Sequence, residues 1–323
     1  MITTVTPNPS VDWTLEIPAL TRGMVHRIAA RHQEPSGKGV NVTRALTGNG
    51  VRSVAVLPLG GSEGAELEAL LVAEQVRYRA VPVTGSIRVN ISLTEPDGTA
   101  TKINAPGPTL SGEETRRLLI AAVDAADGAL WVLGSGSLPG GVAESFYARL
   151  GEAVRGRGAQ FALDSSGPPL LAGLRARPDV IKPNAEELAQ AVGRPLSTLG
   201  DTVVAARELR SLGAGTVVVS LGSDGALLVD AEGVLHAEAF VATPRSTVGA
   251  GDALLAGYLA GTLMAGADRV AALREAVAWG SGALRLDGSR VPMITDADRA
   301  AVVLDDTPDL DRRLRKHVAV GPG

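Results

Sequence analysis

Short runs of apolar residues, many of them β-branched, alternate along the chain with longer segments in which apolar residues recur at helical spacing. The runs predict strands at Ile2–Thr6, Ser53–Leu57, Leu130–Leu133, Gln160–Leu163, Val180–Lys182 and Thr216–Ser220. The segments that predict helices between them include Glu113–Ala126, Glu144–Arg155 and Thr202–Leu212. Because this repetition requires parallel strands joined by right-handed crossovers, it predicts an α/β fold with helices covering the sheet.

The segment Ile87–Thr94 departs from this pattern, since its apolar and polar residues alternate strictly. One face carries Ile87, Val89, Ile91 and Leu93, and the other carries Arg88, Asn90, Ser92 and Thr94. The turn residues 95–98 and the returning segment Ala100–Asn104 predict an antiparallel hairpin. Two interpretations follow: a lid over a binding site, completed by Val11–Ile17, or an ordinary exposed hairpin, which the local pattern alone favours.

The composition narrows the class of protein. The chain has 323 residues, of which 45% are apolar, which is enough for a core and excludes wholesale disorder. Its formal net charge of −4 does not favour nucleic acid as a partner. The absence of cysteine excludes disulfides, thiolate nucleophiles and cysteine-based zinc sites, and no two histidines have the spacing of a helical metal site.

Neither the beginning of the sequence nor its most apolar stretch predicts contact with a membrane. The first residues lack the positive and apolar regions of a secretory signal peptide, so we expect a cytoplasmic protein. The longest apolar stretch, Leu254–Ala267, has 14 residues, which is short for a membrane span and predicts a buried helix. The last residues, Asp309–Gly323, mix charge with Gly-Pro-Gly and are expected to fray.

The most distinctive local feature is the glycine-rich turn Ser246–Ala253, which opens an apolar helix predicted at Ala253–Met264. Glycines let the backbone approach a ligand, and a helix N-terminus supplies free N–H groups, so the turn predicts an anion cradle. Asp252 is interpreted either as the helix N-cap or as a carboxylate that takes a proton from an attacking hydroxyl. The glycine motifs of the Walker A loop and of dinucleotide-binding folds do not match this chain.

Four further polar or glycine-rich turns lie beside predicted strands or helices. They are Ser36–Asn41, Gly134–Gly141, Lys182–Glu187 and Ser220–Gly225. Any one glycine cluster is also explained as a tight loop. Asn184 and Glu187 share a helix face, where local pattern favours N-terminal capping, but the same oxygens also suit a site near phosphate-bound Mg²⁺.

These pieces, in this order, resemble the PfkB (ribokinase-like) family of carbohydrate kinases. The resemblance covers residues 3 to about 290 and rests on TPNPSVD, GKGVN, GSGSLPGG, DSSG, KPNAEE, SLGSDGA and STVGAGD. GAGD in its context is the most specific of these segments. The TPNP start, the hairpin and the INAPGP segment are most similar to the 1-phosphofructokinase branch, and tagatose-6-phosphate kinases and PfkB-type 6-phosphofructokinases are close to it.

The resemblance implies a fold, a reaction and partners. It implies a three-layer α/β/α sandwich formed by one domain over residues 1–323, with a small β-sheet lid whose strands come from about 10–18 and 86–105. The implied reaction is ATP-dependent phosphorylation of a phosphorylated ketohexose, fructose 1-phosphate first, with Mg²⁺ as cofactor. Because lids in this family often pair between subunits, a homodimer through the lid is expected.

The resemblance also assigns roles to residues. Asp252 is the implied catalytic base, and the N–H groups of Gly249, Ala250 and Gly251 stabilise the transferring phosphoryl group. The implied sugar-binding residues are Asp12, Gly37, Lys38, Gly39, Asn41 and Ser137, of which Lys38 can also meet phosphate. Arg88 is implied to bind the phosphate already on the substrate, together with Asn90 and with Lys102 or Asn104.

The remaining implied roles concern the nucleotide. Lys182, Asn184 and Glu187 serve its phosphates and Mg²⁺, with the metal reached through water. The residues expected to border the nucleotide are Ser220, Gly222, Gly225, Thr247, Gly249 and Gly251. The chain departs from some 1-phosphofructokinases at Ser92, where they carry a lysine, so the polar face of the hairpin has one cation fewer.

Several other functions stay open at this point. Within the same family they are 6-phosphofructokinase activity, tagatose-6-phosphate kinase activity and phosphorylation of an unphosphorylated sugar or nucleoside. Arg88 and Lys38 on the sugar side argue against an unphosphorylated acceptor. Two further functions belong to other classes of protein. One is an inactive sugar-phosphate-binding module, which would not need Asp252 as a base. The other is a dehydrogenase, which the missing dinucleotide motif disfavours.

Overall fold

The computed structural model describes residues 1–264 and 268–315. Its strands are β1 (Ile2–Val5), β2 (Ser10–Glu16), β3 (Ala30–Ser36), β4 (Ser53–Leu59), β5 (Tyr78–Pro82), β6 (Arg88–Thr94), β7 (Ala100–Asn104), β8 (Trp131–Ser135), β9 (Gln160–Asp164), β10 (Val180–Ile181), β11 (Thr216–Ser220), β12 (Ala226–Val229), β13 (Val234–Glu238) and β14 (Val303–Asp305). Its helices are α1 (Lys38–Gly48), α2 (Gly61–Ala73), α3 (Gly112–Asp124), α4 (Phe146–Arg155), α5 (Gly167–Gly173), α6 (Ala185–Val192), α7 (Leu199–Ser211), α8 (Ala250–Gly261), α9 (Arg269–Ala283) and α10 (Asp296–Ala300).

The larger of two sheets contains ten strands in the order β14-β13-β12-β11-β10-β9-β8-β1-β4-β5. The strands from β11 to β5 run parallel to one another, whereas β12, β13 and β14 are added antiparallel at one edge. Every strand predicted from a short apolar run lies in this sheet. The parallel arrangement predicted from the strand–helix alternation is therefore confirmed.

Helices cover both faces of the larger sheet. Alternate side chains of a strand point to opposite faces, so Val56 joins the core formed with α3–α7, while its neighbours Ala55 and Leu57 join a core with α1 and α2. Helices α8 and α9 pack with α1 against the same side. The fold is a ribokinase-like three-layer α/β/α sandwich, as the resemblance implied.

A separate four-stranded sheet, hereafter the lid, has the order β3-β2-β6-β7. The predicted hairpin is its β6–β7 pair, and the predicted strand near residues 10–18 is β2, which runs parallel to β6. Strand β3 was not predicted, because the sequence of Ala30–Ser36 is dominated by polar residues and lacks an apolar face. One face of the lid carries the polar side chains of Asp12, Arg88 and Asn90, as the alternation predicted.

The end of the described chain is ordered by backbone hydrogen bonds, so the prediction that it frays is wrong for residues 309–315. The Gly200 N–H donates to the Leu310 carbonyl at 2.8 Å, and the Leu314 N–H donates to the Ser197 carbonyl at 2.9 Å. The frayed segment predicted beyond 315 lies outside the described residues. The predicted apolar helix is α8, although residues 265–267 of that apolar stretch also lie outside them. Across 1–264 and 268–315, no helix is both long and apolar enough to cross a membrane.

Candidate active site

The candidate site lies along the carboxyl ends of the parallel strands. From β1 the chain first adds β4 and β5 on one side and later β8–β11 on the other, so the strand order reverses at the β1–β8 junction. Open α/β sheets bind ligands at such a reversal. Here Asn8, just after β1, donates a hydrogen bond from Nδ2 to Ser137 Oγ, just after β8, at 3.2 Å.

The lid brings the predicted sugar-binding residues together above this junction. Asp12 on β2 accepts hydrogen bonds from Ser36 Oγ at 2.8 Å and from Asn90 Nδ2 at 2.9 Å. Asn90 lies opposite Asn104 in the antiparallel register of β6 and β7. Four residues from four strands therefore present one polar surface, in which Asp12 is fixed by neighbours and Asn104 remains exposed.

Arg88 anchors the root of the lid to the larger sheet. Its two terminal nitrogens donate to the Ala105 and Asn8 carbonyl oxygens, each at 3.1 Å. Its buried Nε has no hydrogen-bond partner among the described residues. Burial lowers the pKa of the Arg88 guanidinium, and the charge of Asp12 opposes that effect. Two carbonyl contacts leave three of the five guanidinium N–H groups for an anion.

The glycine-rich turn leads directly into α8. Gly249 is the N-cap of this helix, with φ of 74°, and no side chain caps its first turn. The interpretation of Asp252 as the N-cap is therefore wrong: it is the third residue of the helix, and its carboxylate is turned inward. The first N–H groups of a helix have no intrahelical partner. The donors predicted at Gly249, Ala250 and Gly251 thus lie at a helix N-terminus without a side-chain cap, where the Ala250 N–H donates a long hydrogen bond to the Thr247 carbonyl at 3.4 Å.

Asp252 is buried and oriented by α1. Asn41 Nδ2 donates to Asp252 Oδ2 at 2.8 Å, while Asn41 Oδ1 is buried without a partner among the described residues. Burial, followed by the negative charge of Asp164, raises the pKa of Asp252 to about 6. The charges of Lys38 and Lys182 and the Asn41 hydrogen bond oppose that rise. The carboxylate is thus ionised at neutral pH but is a stronger base than an exposed aspartate.

A charged cluster lies beside Asp252 at the ends of β9 and β10. Lys38 Nζ is 3.0 Å from Asp164 Oδ1 and 3.2 Å from Glu187 Oε1, and Lys182 Nζ is 3.7 Å from Asp164 Oδ2. Burial alone would lower the pKa of Lys38, but Asp164 and Glu187 outweigh it and raise that pKa well above its ordinary value. Lys38 therefore lies in the same cluster as Lys182 and Glu187, the residues predicted to serve the nucleotide phosphates and Mg²⁺.

Asp164 is the residue of this cluster to which the sequence analysis gave no role. Its side chain is 0% exposed, and its Oδ2 accepts no hydrogen bond from any residue in the described ranges. The DSSG segment contains it, but only as part of the resemblance. A signal was available, since an acidic residue at the end of a buried parallel strand lies at the ligand-binding edge of the sheet.

Asn184 and Glu187 form a capping box at the start of α6. Asn184 Oδ1 accepts from the Glu187 N–H at 2.8 Å, and Glu187 Oε2 accepts from the Asn184 N–H at 2.9 Å. The local interpretation of these residues as caps is confirmed. It leaves Glu187 Oε1 directed at Lys38, so the pair belongs to the same charged cluster.

The acidic side chains of the site fit an open Mg²⁺ site better than a closed protein cage. The described residues contain no group of three or more acidic or histidine side chains arranged to hold a metal. Mg²⁺ in kinases is typically bound by one or two carboxylates, water and substrate phosphates. Glu187 and the orphaned Asp164 Oδ2 fit that more open donor set.

Three of the glycines predicted at the site, Gly37, Gly39 and Gly225, are required by close packing. A Cβ on Gly39 would lie 2.4 Å from Thr6 Oγ1, and one on Gly37 would lie 2.8 Å from Thr6 Cγ2, so both let α1 approach β1. A Cβ on Gly225 would lie 2.1 Å from the Ala237 carbonyl oxygen. The Gly222–Gly225 turn follows Ser220, which forms a parallel bridge with Asn184.

Taken together, the predicted residues fall into two groups joined by α1. The lid group contains Asp12, Arg88, Asn90 and Asn104, with Ser137 below it. The second group surrounds the charged cluster and contains Lys38, Lys182, Asn184, Glu187, Ser220, Gly222 and Gly225. Asn41 connects α1 to Asp252, and Thr247 is exposed in the turn before α8.

The chain is similar to known proteins over most of its length. Residues 8–296 match the sequence profile of the pfkB family of carbohydrate kinases. The chain is 40% identical to the 1-phosphofructokinase of Rhodobacter capsulatus over 90% of this chain and 92% of that protein, and 35% identical to that of Bacillus subtilis over 81% and 85%. It superimposes on a crystal structure of Escherichia coli phosphofructokinase-2 in complex with potassium with a TM-score of 0.86, at 33% identity and coverage of 93% and 96%.

Proposed function

The chain belongs to the pfkB family of carbohydrate kinases, and we propose that it transfers the γ-phosphoryl group of ATP to the C6 hydroxyl of fructose 1-phosphate. The observation that carries this proposal is the buried Asp252 in the first turn of α8, which has no side-chain cap, with the charges of Lys38 and Lys182 nearby. The relatives from Rhodobacter capsulatus and Bacillus subtilis, at 40% and 35% identity, are both named 1-phosphofructokinase.

In the proposed mechanism, the oxygen of the sugar hydroxyl attacks the γ-phosphorus while Asp252 accepts the proton of that hydroxyl. The bond from the γ-phosphorus to the bridging oxygen breaks, ADP leaves, and the proton passes from Asp252 to solvent. The N–H groups at Gly249, Ala250 and Gly251 stabilise the charge on the transferring group. Asn41 fixes one carboxylate oxygen of Asp252, which orients the other for proton transfer.

We further propose that Arg88 binds the phosphate already on the sugar, with Asn90 and Asn104 beside it. The guanidinium is held at the root of the lid, so lid position and phosphate binding are coupled. Lys38 and Lys182 bind the nucleotide phosphates. Glu187, with Asp164 close by, would hold Mg²⁺ through water, and the ion would neutralise charge on those phosphates.

The test is ADP release by the purified protein with Mg-ATP and fructose 1-phosphate, fructose 6-phosphate or tagatose 6-phosphate, with Asp252→Asn as control. We expect kcat/KM to favour fructose 1-phosphate by at least about 100-fold, or about 3 kcal/mol of transition-state binding. Asp252→Asn should lose most turnover while still binding nucleotide. Near-normal turnover in that variant would reject Asp252 as the base.

Fructose 6-phosphate is the second candidate substrate. A solved structure titled as E. coli phosphofructokinase-2 in complex with fructose-6-phosphate matches this chain with a TM-score of 0.83 at 33% identity. Ser92 on the polar face of the lid, in place of a lysine, also weakens the specific expectation of a 1-phosphate. A preference for a 6-phosphate would keep the base and the anion cradle but change the acceptor. If none of the three sugar phosphates gives ADP release although the protein still binds ATP, an inactive sugar-phosphate-binding module would be favoured.

We propose that the protein is a cytoplasmic homodimer that pairs through the lid. The lid face opposite Asp12 and Arg88 is apolar and incompletely covered: Ile91 and Leu93 are half-buried, and Ile103 is 55% exposed. A second lid would bury this surface. Light scattering should give twice the chain mass of 33.0 kDa, and Ile103→Asp should reduce it to the monomer value. A monomeric parent protein would reject the pairing.

A further inference from the structure

Residues 310–315, here called the C-terminal strap, run across the start of α7. The Gly200 N–H donates to the Leu310 carbonyl at 2.8 Å, and the Leu199 N–H donates to the Arg312 carbonyl at 3.0 Å. Arg313 forms an antiparallel bridge with Thr198. Backbone pairing therefore fixes the path of the strap independently of its side chains.

The strap ends on a buried carboxylate. Asp224 is 1% exposed. Its Oδ1 accepts from Arg312 Nη2 at 2.9 Å, and its Oδ2 accepts from the Arg315 backbone N–H at 2.7 Å. Arg312 Nη2 also donates to Glu238 Oε2 at 3.0 Å. Both oxygens of a carboxylate that is out of contact with water are thus satisfied by the strap.

Asp224 belongs to the turn that joins β11 to β12. The turn is closed by the Leu221 N–H, which donates to the Gly225 carbonyl at 2.8 Å, and contains two glycines with positive φ, Gly222 at 60° and Gly225 at 78°. Ser220 at its start is bridged to Asn184, in the segment that carries Lys182. The turn is therefore part of the edge assigned to the nucleotide.

We propose that Arg312 and Asp224 are positioning residues: through them the strap clamps the 222–225 turn in the conformation that binds nucleotide. This inference rests on the proposed kinase function. A hydrogen bond between ionised groups is stronger than a neutral one, and removing one partner leaves the other buried and unpaired. Without the clamp, the turn must be ordered when nucleotide binds, and that ordering weakens affinity.

The test compares nucleotide affinity across variants of the full-length protein. ADP dissociation constants are measured by titration calorimetry, and KM values are measured for ATP and for the sugar phosphate that the parent protein turns over fastest. Arg312→Ala and Asp224→Asn are the disrupting variants, and Arg312→Lys is the conservative one. Arg313→Ala is the matched control, since it removes the same charge from the strap but Arg313 pairs through its backbone.

We expect Arg312→Ala to raise the ADP dissociation constant and the KM for ATP by about tenfold, equivalent to about 1.4 kcal/mol. The KM for the sugar phosphate should change by less than about twofold, Arg312→Lys should recover part of the affinity, and Arg313→Ala should match the parent. Asp224→Asn combined with Arg312→Ala should weaken ADP binding little more than either change alone, because the two act through one contact.

Three results would overturn the clamp. The first is an unchanged ADP dissociation constant in a folded Arg312→Ala protein. The second is an equal rise in both KM values together with a lower melting temperature, which would indicate a structural role only. The third is an equal effect of Arg313→Ala. If Arg312→Ala does not fold, Arg312→Lys and Asp224→Asn decide the same question. If the parent protein turns over sugar phosphate and the Arg312→Ala variant binds ADP normally, only the clamp is rejected. If the parent protein binds no nucleotide, the proposed function is rejected as well.

Discussion

Replacing Asp252 by asparagine should stabilise the protein at neutral pH while removing its activity. Burial and the nearby charge of Asp164 raise the pKa of this carboxyl from 3.8 to about 6. A group with a higher pKa in the folded state than in the unfolded state disfavours folding once it ionises. Asparagine has nearly the same shape as the protonated acid and cannot ionise, so it avoids that cost.

The magnitude follows from the two pKa values. At 1.36 kcal/mol per pKa unit, the interval between 3.8 and about 6 corresponds to about 3 kcal/mol. The folded protein binds more protons than the unfolded chain in this interval, so the cost is absent below pH 4, grows as pH rises and is constant above pH 6. For 323 residues the unfolding entropy is about 0.7 kcal/mol/K, so the variant should melt about 4 °C higher at pH 7.5.

The assay is urea and thermal unfolding of both proteins at pH 5.0, 6.0 and 7.5. The stability difference should be about half as large at pH 5.0 as at pH 7.5. Asp97→Asn is the matched control: that carboxylate is exposed in the lid turn, and hydrogen bonds from Thr99 lower its pKa, so its loss should give no gain. An Asp252→Asn protein that is less stable at pH 7.5, or a gain that does not depend on pH, would refute the electrostatic argument.

Three further predictions follow from the same contacts. Arg88→Ala should raise the KM for the sugar phosphate by about 10- to 100-fold, because a charge-assisted hydrogen bond to the phosphate is lost. The KM for ATP should change little. An unchanged KM for the sugar phosphate would reject the phosphate contact. Asp164→Asn removes a charge that raises the pKa of Asp252, so the acidic limb of the pH–rate profile should move to lower pH, whereas Lys182→Met should move it to higher pH. Gly225→Ala should destabilise folding by about 1–3 kcal/mol in urea titrations, because its Cβ would meet the Ala237 carbonyl, and Gly233→Ala, at positive φ but in open space, should cost less.

The fold could be predicted from the sequence wherever burial dictates the pattern. Strands such as β8 and β11 are buried on both faces, and only continuous apolar runs satisfy that environment. Strand β3 has no such constraint, since five of its residues, 30–34, are exposed or half-buried. It forms because β2 provides a hydrogen-bonding edge, which is information from elsewhere in the chain. The strap was missed for the same reason: its partners are on α7 and in the 222–225 turn.

The candidate site was predictable in its parts but not in their connections. Local motifs pointed to Asp252, Lys38 and Glu187 separately. Their contacts join residues more than a hundred positions apart, for example Lys38 with Asp164 and Asn41 with Asp252. Neither composition nor spacing specifies such pairs. The resemblance assigned Lys38 to the sugar site, where it could also meet phosphate, and the structure shows its ammonium beside Asp164 and Glu187.

The helices differ in how the N–H groups of their first turns are satisfied. Helices α3, α6, α7 and α10 begin with complete capping boxes, and α9 begins with an aspartate cap. Helices α1, α2 and α8 begin after glycines without a side-chain cap, and α4 and α5 also lack a side-chain cap. Of these five, α1 and α8 begin at the candidate site, where a phosphate would need free donors. A cap would stabilise either helix by about 1 kcal/mol, but its side chain would occupy the N–H groups that a phosphate must reach. Omitting the cap and burying Asp252 are therefore two costs with one explanation: the start of α8 is organised for a ligand rather than for the stability of the isolated fold.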